Sequence, residues 1–447
     1  MQPETMRTYF SAGSTRDADL RLSRLNTLKT AVERHTDEIC SALHSDLGKS
    51  SFEAYAFEIA PVLQELESLQ KNLRGWIRTK KVGSPLLFFR GKTRIAREPY
   101  GLVLIISPWN YPFLLMMMPL VSAVACGNVV MAKYSRRSPA TGKILQQIIS
   151  EIFPEPWVCV TDSVDLEKRY DYLFFTGGKT AGHTVYQTVA RYGTPATLEL
   201  GGKNPGILDT TADIRTAGAR IAWAKCVNAG QTCVAPDYLL VHASIRDEIV
   251  ESITDAVSRY YGKNPAENND YAAIISSDAY TRLERYCRPE VILRQCGRHN
   301  PAERKFAPTL ITADPADPVM QEEIFGPVLP VISWQTETEL NRLITDTPLA
   351  LYLFSTDAAF CTRIADAHPS GGVCVNDCML QAANPQAPFG GTGTSGFGAY
   401  HGMCSIDTFS RRRTIVLRKN RPELSFRYPP YTEKKMRILQ RWRRYLF

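Results

Sequence analysis

Three residues far apart in the chain carry groups able to act on one carbonyl carbon. Cys233 lies in GQTCVAP, just after a glycine that frees the backbone; Glu199 closes the apolar run of TLELGGKNP; Asn110 lies in SPWNY. A thiolate can add to a carbonyl and an amide N–H can hold the oxyanion that forms. Once hydride has left for a nicotinamide, a carboxylate can activate water to cleave the thioester. Each residue alone has a plainer reading. Free cysteine is among the most buried residue types and is inert in apolar surroundings, and Cys226 stands close by in a chain of 11 cysteines. Glu199 could cap a helix or pair with a cation, and Asn110 could shape a turn. A carboxylate ending an apolar strand is costly to bury without a task or a partner. Together the three are the set that oxidation of an aldehyde requires.

Two GK[ST] runs point to phosphate and fail on spacing. A P-loop needs a glycine five residues before the one preceding lysine, and TGGKTAG has Leu173 there, as DLGKS has Leu43. What remains is Gly177 and Gly182 bracketing a strand-to-helix turn. That is a weak dinucleotide signal alone, equally consistent with a turn that uses glycine.

The elements that must position these groups alternate. Apolar runs at 102–106, 128–132, 157–160, 172–175 and 196–200 are separated by helical patterns, among them 138–152 and about 180–191. That is the pattern of a parallel sheet covered on both faces, with ligands expected at the carboxyl ends of its strands. Amphipathic helices at 19–43 and 57–78 precede it, and a second α/β unit runs from 206 to about 388. The fold class is α/β. Residues 102–132 are apolar for long enough to span a bilayer, but Pro108, Asn110, Pro112 and Pro119 break them into strand, turn, core helix and strand. At 447 residues and 44% hydrophobic content the chain has room for two or three cores. Cysteines without framework spacing and an N-terminus without an apolar core point to a reducing, cytoplasmic setting. The net charge of +8 does not by itself imply nucleic acid, and no nucleic-acid partner is expected.

In order along the chain, EPYGLVLIISPWNYP, LELGGKNP, NAGQTCVAPDY, QEEIFGPVLP and PFGGTGTSGFGAYHG resemble the aldehyde dehydrogenase superfamily. DLGKSSFEAY, YYGKNP and RYPPYTEKK resemble its class 3, fatty-aldehyde-dehydrogenase-like branch. The resemblance implies Cys233 as nucleophile, Glu199 as general base and Asn110 as oxyanion donor beside the Cys233 N–H. It places Glu323 and Phe325 at the nicotinamide ribose and ring, Lys133 at the adenosine ribose, and Gly177 and Gly182 at the cofactor turn. NAD or NADP is the implied cofactor, an aldehyde the substrate, and no metal is called for. It further implies a Rossmann-like cofactor-binding domain over 1–206, with 80–98 lent to a small bridging sheet, and a catalytic α/β domain over 207–388. A return segment and bridging strand over 389–420 would join two subunits into a homodimer, with RRRTIVL as an exposed basic edge leading into that strand.

The departures from the family pattern carry expectations too. Lys179 takes the place of a threonine in the cofactor turn. QAANPQA, 381–387, replaces a histidine and large apolar residues, so that wall of the substrate pocket is expected to be polar. Arg136 replaces a glutamate that binds adenosine ribose hydroxyls, and a guanidinium favours a 2′-phosphate. An acylating dehydrogenase or acyl-phosphate reductase would share the nucleophile, but Glu199 counts against it. A non-catalytic membrane-tethered relative would be expected to lose Cys233 or Glu199.

Residues 421–447 form a basic tail. On a helix Met436, Leu439, Trp442 and Leu446 share a face with Ile438 and Tyr445 beside them, while Lys434, Lys435, Arg437, Arg441, Arg443 and Arg444 take the rest. That suits peripheral contact with an anionic membrane, or packing on the dimer near the substrate funnel.

Overall fold

The computed structural model describes residues 1–84, 91–421 and 428–446, with side chains given up to 443 in the last helix. Residues 85–90 of the expected bridging segment, 422–427 and 447 of the tail, and the side chains of Arg444, Tyr445 and Leu446 lie outside that description.

Three sheets organise the chain. The first has six strands in the order Gly396–Phe397, Ala196–Leu200, Tyr172–Gly177, Leu102–Ile106, Val129–Lys133, Val158–Thr161. All neighbours are parallel except the two-residue edge strand. Leu102–Ile106 is buried along its whole length, as expected of a run of branched aliphatic residues covered by helices on both faces. It pairs with Val129–Lys133 on one side and Tyr172–Gly177 on the other. The winding therefore reverses at this strand, and a crevice opens at its carboxyl end, where Asn110 follows. The apolar helix Leu114–Ala125 lies in the core, not in a membrane span.

The second sheet has seven strands, Ile292–Gln295, Thr309–Thr312, Val328–Trp334, Tyr238–His242, Pro205–Leu208, Ala350–Phe354 and Gly372–Val375. Only its first pair is antiparallel. Pro205–Leu208 spans residue 206 and pairs wholly within this sheet. The third sheet is antiparallel, Lys80–Val82, Lys92–Pro99 and Ser410–Leu417. RRRTIVL lies inside its last strand: Arg411 and Arg413 reach Glu98 at 3.2 and 2.8 Å, and Arg412 reaches Asp407 at 3.0 Å.

The long helix expected over 19–43 is two, Ala18–Arg34 and Thr36–Leu47. The break falls at His35, which leaves helical geometry and sets its ring between Glu38 and Glu151. The helix expected over 57–78 begins earlier, as Ser51–Ala54, passes through a π-helical segment Tyr55–Ile59, and continues as Ala60–Trp76.

Candidate active site

Cys233 sits on the loop between helix Ile214–Cys226 and strand Tyr238–His242, at the amino ends of the second sheet. These ends face the carboxyl ends of the first, so one cleft receives groups from both. Three consecutive residues before it are left-handed, Asn228 (φ 52), Ala229 (φ 50) and Gly230 (φ 72). At Gly230 a Cβ would stand 2.5 Å from the Gly326 carbonyl oxygen. Such a path persists only where its surroundings over-determine it. Here Gln231 donates to the carbonyls of Asn228 (3.1 Å) and Ala273 (2.9 Å) and accepts from Ile275 N–H (2.9 Å), while Asn204 Nδ2 donates to the carbonyls of Cys233 (2.7 Å) and Ala235 (3.0 Å). Cys233 is half-buried. Burial, then the Glu323 and Glu199 charges, push its thiol up to about 12. Cys226 is fully buried in the core, where burial raises its thiol further still. All 11 cysteines are free thiols.

Glu199 lies on strand Ala196–Leu200 between Thr176 of one neighbour and Gly396 of the other. It is buried, and neither carboxylate oxygen has a hydrogen-bond partner among the described residues. The helix-cap and ion-pair readings therefore fall. Desolvation alone holds its carboxyl well above the ordinary range. Asn110 is buried, donates through Nδ2 to the Gln231 carbonyl at 3.0 Å, and accepts at its own carbonyl from Lys49 Nζ (2.8 Å) and Asn228 Nδ2 (2.9 Å).

A cavity of about 440 Å³ brings together Asn110, Gly177, Glu199, Cys233, Glu323 and Phe325. Glu323 rests on the glycine pair after Glu199: it accepts from Gly202 N–H, and a Cβ on Gly201 would stand 2.0 Å from its Oε2. Burial pushes its carboxyl up to about 8. Phe325 (φ 50) meets Trp109 edge-on, ring centroids 5.3 Å apart. The loop bearing both is fastened by Asp237, which accepts from Ile324 N–H at 2.9 Å and pairs with Lys203 at 2.5 Å. Gly182 packs under the turn, where a Cβ would strike Leu200 at 2.5 Å. Lys133 ends its strand half-buried, and desolvation lowers its ammonium.

The two departures in the cofactor region, Arg136 and Lys179, each hold a carboxylate. Arg136 is exposed and pairs with Asp162 at 3.3 Å, while the next residue, Arg137, lines the cavity. Lys179, at the start of helix Lys179–Ala190, pairs with Asp346 at 2.6 Å. The sequence signal for Arg137 was the doubled arginine itself. Asn204 and Gln231 were missed although they lie within the LELGGKN and GQTC motifs, because their work is to bond backbone.

A second cavity of about 230 Å³ shares Leu115, Cys233, Phe389 and Tyr400 with the first and is otherwise walled by side chains such as Phe57 and Trp223. The polar wall expected from QAANPQA is not there. Ala382, Ala383 and Pro385 face the cavity, whereas Gln381 Nε2 donates to Tyr352 Oη at 3.1 Å and Gln386 is exposed. Gln381 turns its N–H₂ to the buried tyrosine and Gln386 turns to solvent, where their amides find partners that an apolar cavity does not offer. Among the described residues no group of three or more His, Cys, Asp or Glu is placed to hold a metal.

Residues 4–415 match the aldehyde dehydrogenase family. The chain is 39% identical over 440 residues to 4,4'-diaponeurosporen-aldehyde dehydrogenase of Staphylococcus aureus, covering 96% of this chain and 95% of that protein. It is 40% identical over 453 residues to rat aldehyde dehydrogenase family 3 member B1, covering 98% and 95%. A substrate-bound structure of Staphylococcus aureus AldH superposes with a TM-score of 0.95 at 37% identity, covering 98% of both chains.

Proposed function

Because the chain belongs to the aldehyde dehydrogenase family, we propose that its oxidation of an aldehyde with NAD(P) runs at Cys233, with Glu199 as general base and Asn110 as oxyanion donor. The observation that carries this reading is the place of Cys233 at the junction of two cavities, one holding the unpartnered Glu199 and the glycine turn, the other apolar. The Cys233 thiol gives its proton to solvent as sulfur bonds the aldehyde carbon, and the carbonyl oxygen, now an oxyanion, is held by Asn110 Nδ2 and the Cys233 N–H. A bound nicotinamide would supply the hydride acceptor, and the acyl group that then remains on Cys233 is a thioester. Glu199 then takes a proton from water as the water oxygen attacks the acyl carbon; the C–S bond breaks, the acid leaves, and the proton on Glu199 passes to the Cys233 thiolate, which restores both groups. An acylating enzyme would need no base there, and a non-catalytic relative no nucleophile.

The residues present fit a dinucleotide. A Cβ at Gly178 would meet nothing within 4 Å, so the backbone at the N-terminus of helix Lys179–Ala190 is open to a phosphate. Glu323 and Phe325 would hold the nicotinamide ribose and ring, Lys133 the adenosine ribose. Residues 1–206 are read as the cofactor domain and 207–388 as the catalytic domain.

With Arg136 beside Lys133, and Asp162 already neutralised by it, NADP⁺ should serve at least as well as NAD⁺. Arg136→Glu should lower the NADP⁺-to-NAD⁺ ratio of kcat/KM roughly 10-fold or more, in line with the loss of one charge-assisted phosphate contact. An unchanged ratio removes Arg136 from cofactor choice.

The walls of the second cavity favour apolar aldehydes. Assayed with NAD⁺, kcat/KM should climb from acetaldehyde through hexanal to decanal, by about 3- to 4-fold per methylene while burial lasts. A profile flat with chain length would show that this cavity does not receive the substrate.

A homodimer is supported by two sheet edges that no strand among the described residues covers, Gly372–Val375 with Val373 and Val375 exposed and Ser410–Leu417 with Val416 and Leu417 exposed. The tail forms helix Glu433–Leu446, with Met436 54%, Ile438 40% and Trp442 48% exposed among its basic residues. No helix among the described residues is long and apolar enough to cross a membrane. We read the protein as cytoplasmic, held peripherally on anionic lipid by this helix, which would feed apolar aldehydes to Cys233. Vesicles containing phosphatidylserine should co-sediment the full chain at low salt and release it at about 0.5 M salt, where the Debye length is a few ångströms. A version ending at Pro430 should stay in the supernatant, and both should sediment as dimers. Equal partitioning would assign the helix to the dimer instead.

A further inference from the structure

Lys49, Glu53 and Glu58 are buried charged side chains that the steps above do not use, and they converge on the loops bearing Asn110 and Cys233. Helix Thr36–Leu47 stops at Gly48 (φ 66), which turns the chain and sends Lys49 into the core. Ser50 then caps the next helix, its Oγ accepting from Glu53 N–H at 3.3 Å. In a regular α-helix, side chains five positions apart diverge by roughly 140°. The π-helical segment Tyr55–Ile59 widens the turn so that Glu53 and Glu58 serve neighbouring loops.

Glu53 Oε1 accepts from Asn228 N–H at 3.0 Å. Glu58 takes Lys49 Nζ on one oxygen at 2.5 Å and, on the other, the N–H groups of Phe113 (2.9 Å) and Leu114 (3.2 Å), just beyond the Asn110 turn. Lys49 Nζ also donates to the Asn110 carbonyl at 2.8 Å and lies 3.9 Å from the Tyr111 ring centroid. The Tyr111 hydroxyl bonds Thr232 Oγ1 at 2.7 Å, next to Cys233. A fully buried ion pair is a poor device for stability alone, because desolvation offsets its attraction and apolar residues would serve as well. Apolar residues could not grip a peptide carbonyl. With two donors on it, the Asn110 carbonyl cannot rotate without giving up both bonds in the core, and those donors are themselves fixed, Lys49 by Glu58 and Asn228 Nδ2 by the Gln231 carbonyl at 3.0 Å. Asn110 Nδ2 has two N–H groups; one is used on the Gln231 carbonyl, and the other is left for the cavity that Asn110 lines with Cys233.

We propose that Lys49, braced by Glu58, is a positioning residue for the oxyanion site, holding the Asn110 backbone so that its amide faces the carbon bound to Cys233. This rests on the reading of Asn110 as oxyanion donor. The test is the rate of the pre-steady-state NADH burst with hexanal and NAD⁺, in the full-length enzyme. Asn110→Ala should slow it about 10²- to 10³-fold. Lys49→Met should slow it about 10- to 100-fold through misplacement of that donor, leave the KM for NAD⁺ within about 2-fold, and be partly rescued by Lys49→Arg. In the Asn110→Ala background Lys49→Met should cost less than about 3-fold more, since it acts through the group already removed. Should Lys49→Met not fold, Glu58→Gln, which keeps the length but replaces one of the two accepting oxygens by an N–H₂ that cannot hold Lys49 or the Phe113 and Leu114 N–H groups, gives the same comparison. Factors that multiply in the double variant, or a burst within 2-fold of wild type in the single one, overturn the positioning role. A wild-type burst in Asn110→Ala would instead overturn the oxyanion reading beneath it.

Discussion

Glu199→Gln should produce one burst of NADH at close to the wild-type rate and then fall to a steady state about 10²- to 10⁴-fold slower, the range lost when a positioned acid or base is removed. The amide has nearly the carboxylate's shape and cannot take a proton from water, so the thioester forms on Cys233 and stays. Hydroxylamine should then cut it chemically and restore turnover. The pH dependence follows from the environment of Glu199. Its oxygens have no partner and desolvation raises its carboxyl well above 4.5, so the base form is gained only as pH climbs through that raised value. Wild-type deacylation should therefore gain rate with pH far above the ordinary carboxylate range, and the variant should lack that limb. Stability runs the other way. A carboxyl whose folded value is raised binds its proton more tightly in the folded state, so the fold is favoured below the unfolded value of 4.5 and loses stability as pH rises toward the folded one. Glu199→Gln should flatten that loss, seen as a smaller fall in Tm between pH 5 and 9. A variant with the wild-type steady-state rate would remove Glu199 from the base role.

How much of this was legible depends on what each residue bonds. The parallel strands of the first sheet were readable because a strand buried on both faces reads as an apolar run, as Leu102–Ile106 and residues 172–175 of Tyr172–Gly177 do. Glu199 stood out because a carboxylate is costly at the end of an apolar strand, and Cys233 and Asn110 stood out only beside it, as the rest of the set that oxidation of an aldehyde requires. The helix-to-strand loop that carries Cys233 was not readable as a position in space, since the rule for open sheets looks to carboxyl ends and the second sheet offers its amino ends to the cleft. The break at His35 and the π-helical turn before Ala60 leave no mark in apolar periodicity; each is set by tertiary partners, Glu151 for the first and the Asn110 and Cys233 loops for the second. The wall at 381–387 was misjudged for the same reason: composition counts the glutamines, and only the fold decides that alanine and proline face the cavity.

Cys233→Ala should lower oxidation at least about 10⁴-fold, to what binding and the oxyanion site supply without a nucleophile, while NAD⁺ still binds within about 2-fold of wild type by fluorescence quenching. The two readouts separate because the sulfur lies at the junction of the cavities, and the glycine turn, Lys133 and Glu323 do not depend on it. No burst should appear at any pH. In wild type the burst should quicken toward alkaline pH, because burial and two nearby carboxylates push the thiol up to about 12 and the reactive thiolate is gained from below. Cys226 provides the control of opposite sign. It is fully buried among apolar side chains, so Cys226→Ser strands a hydroxyl in the core at a cost of about 1–3 kcal/mol, visible as a lower Tm, yet touches no reacting atom. Its kcat below the melting transition should match wild type. If Cys226→Ser abolished the burst while Cys233→Ala kept it, the nucleophile would be the wrong cysteine of the pair, and the loop strained through Asn228, Ala229 and Gly230 would need another purpose.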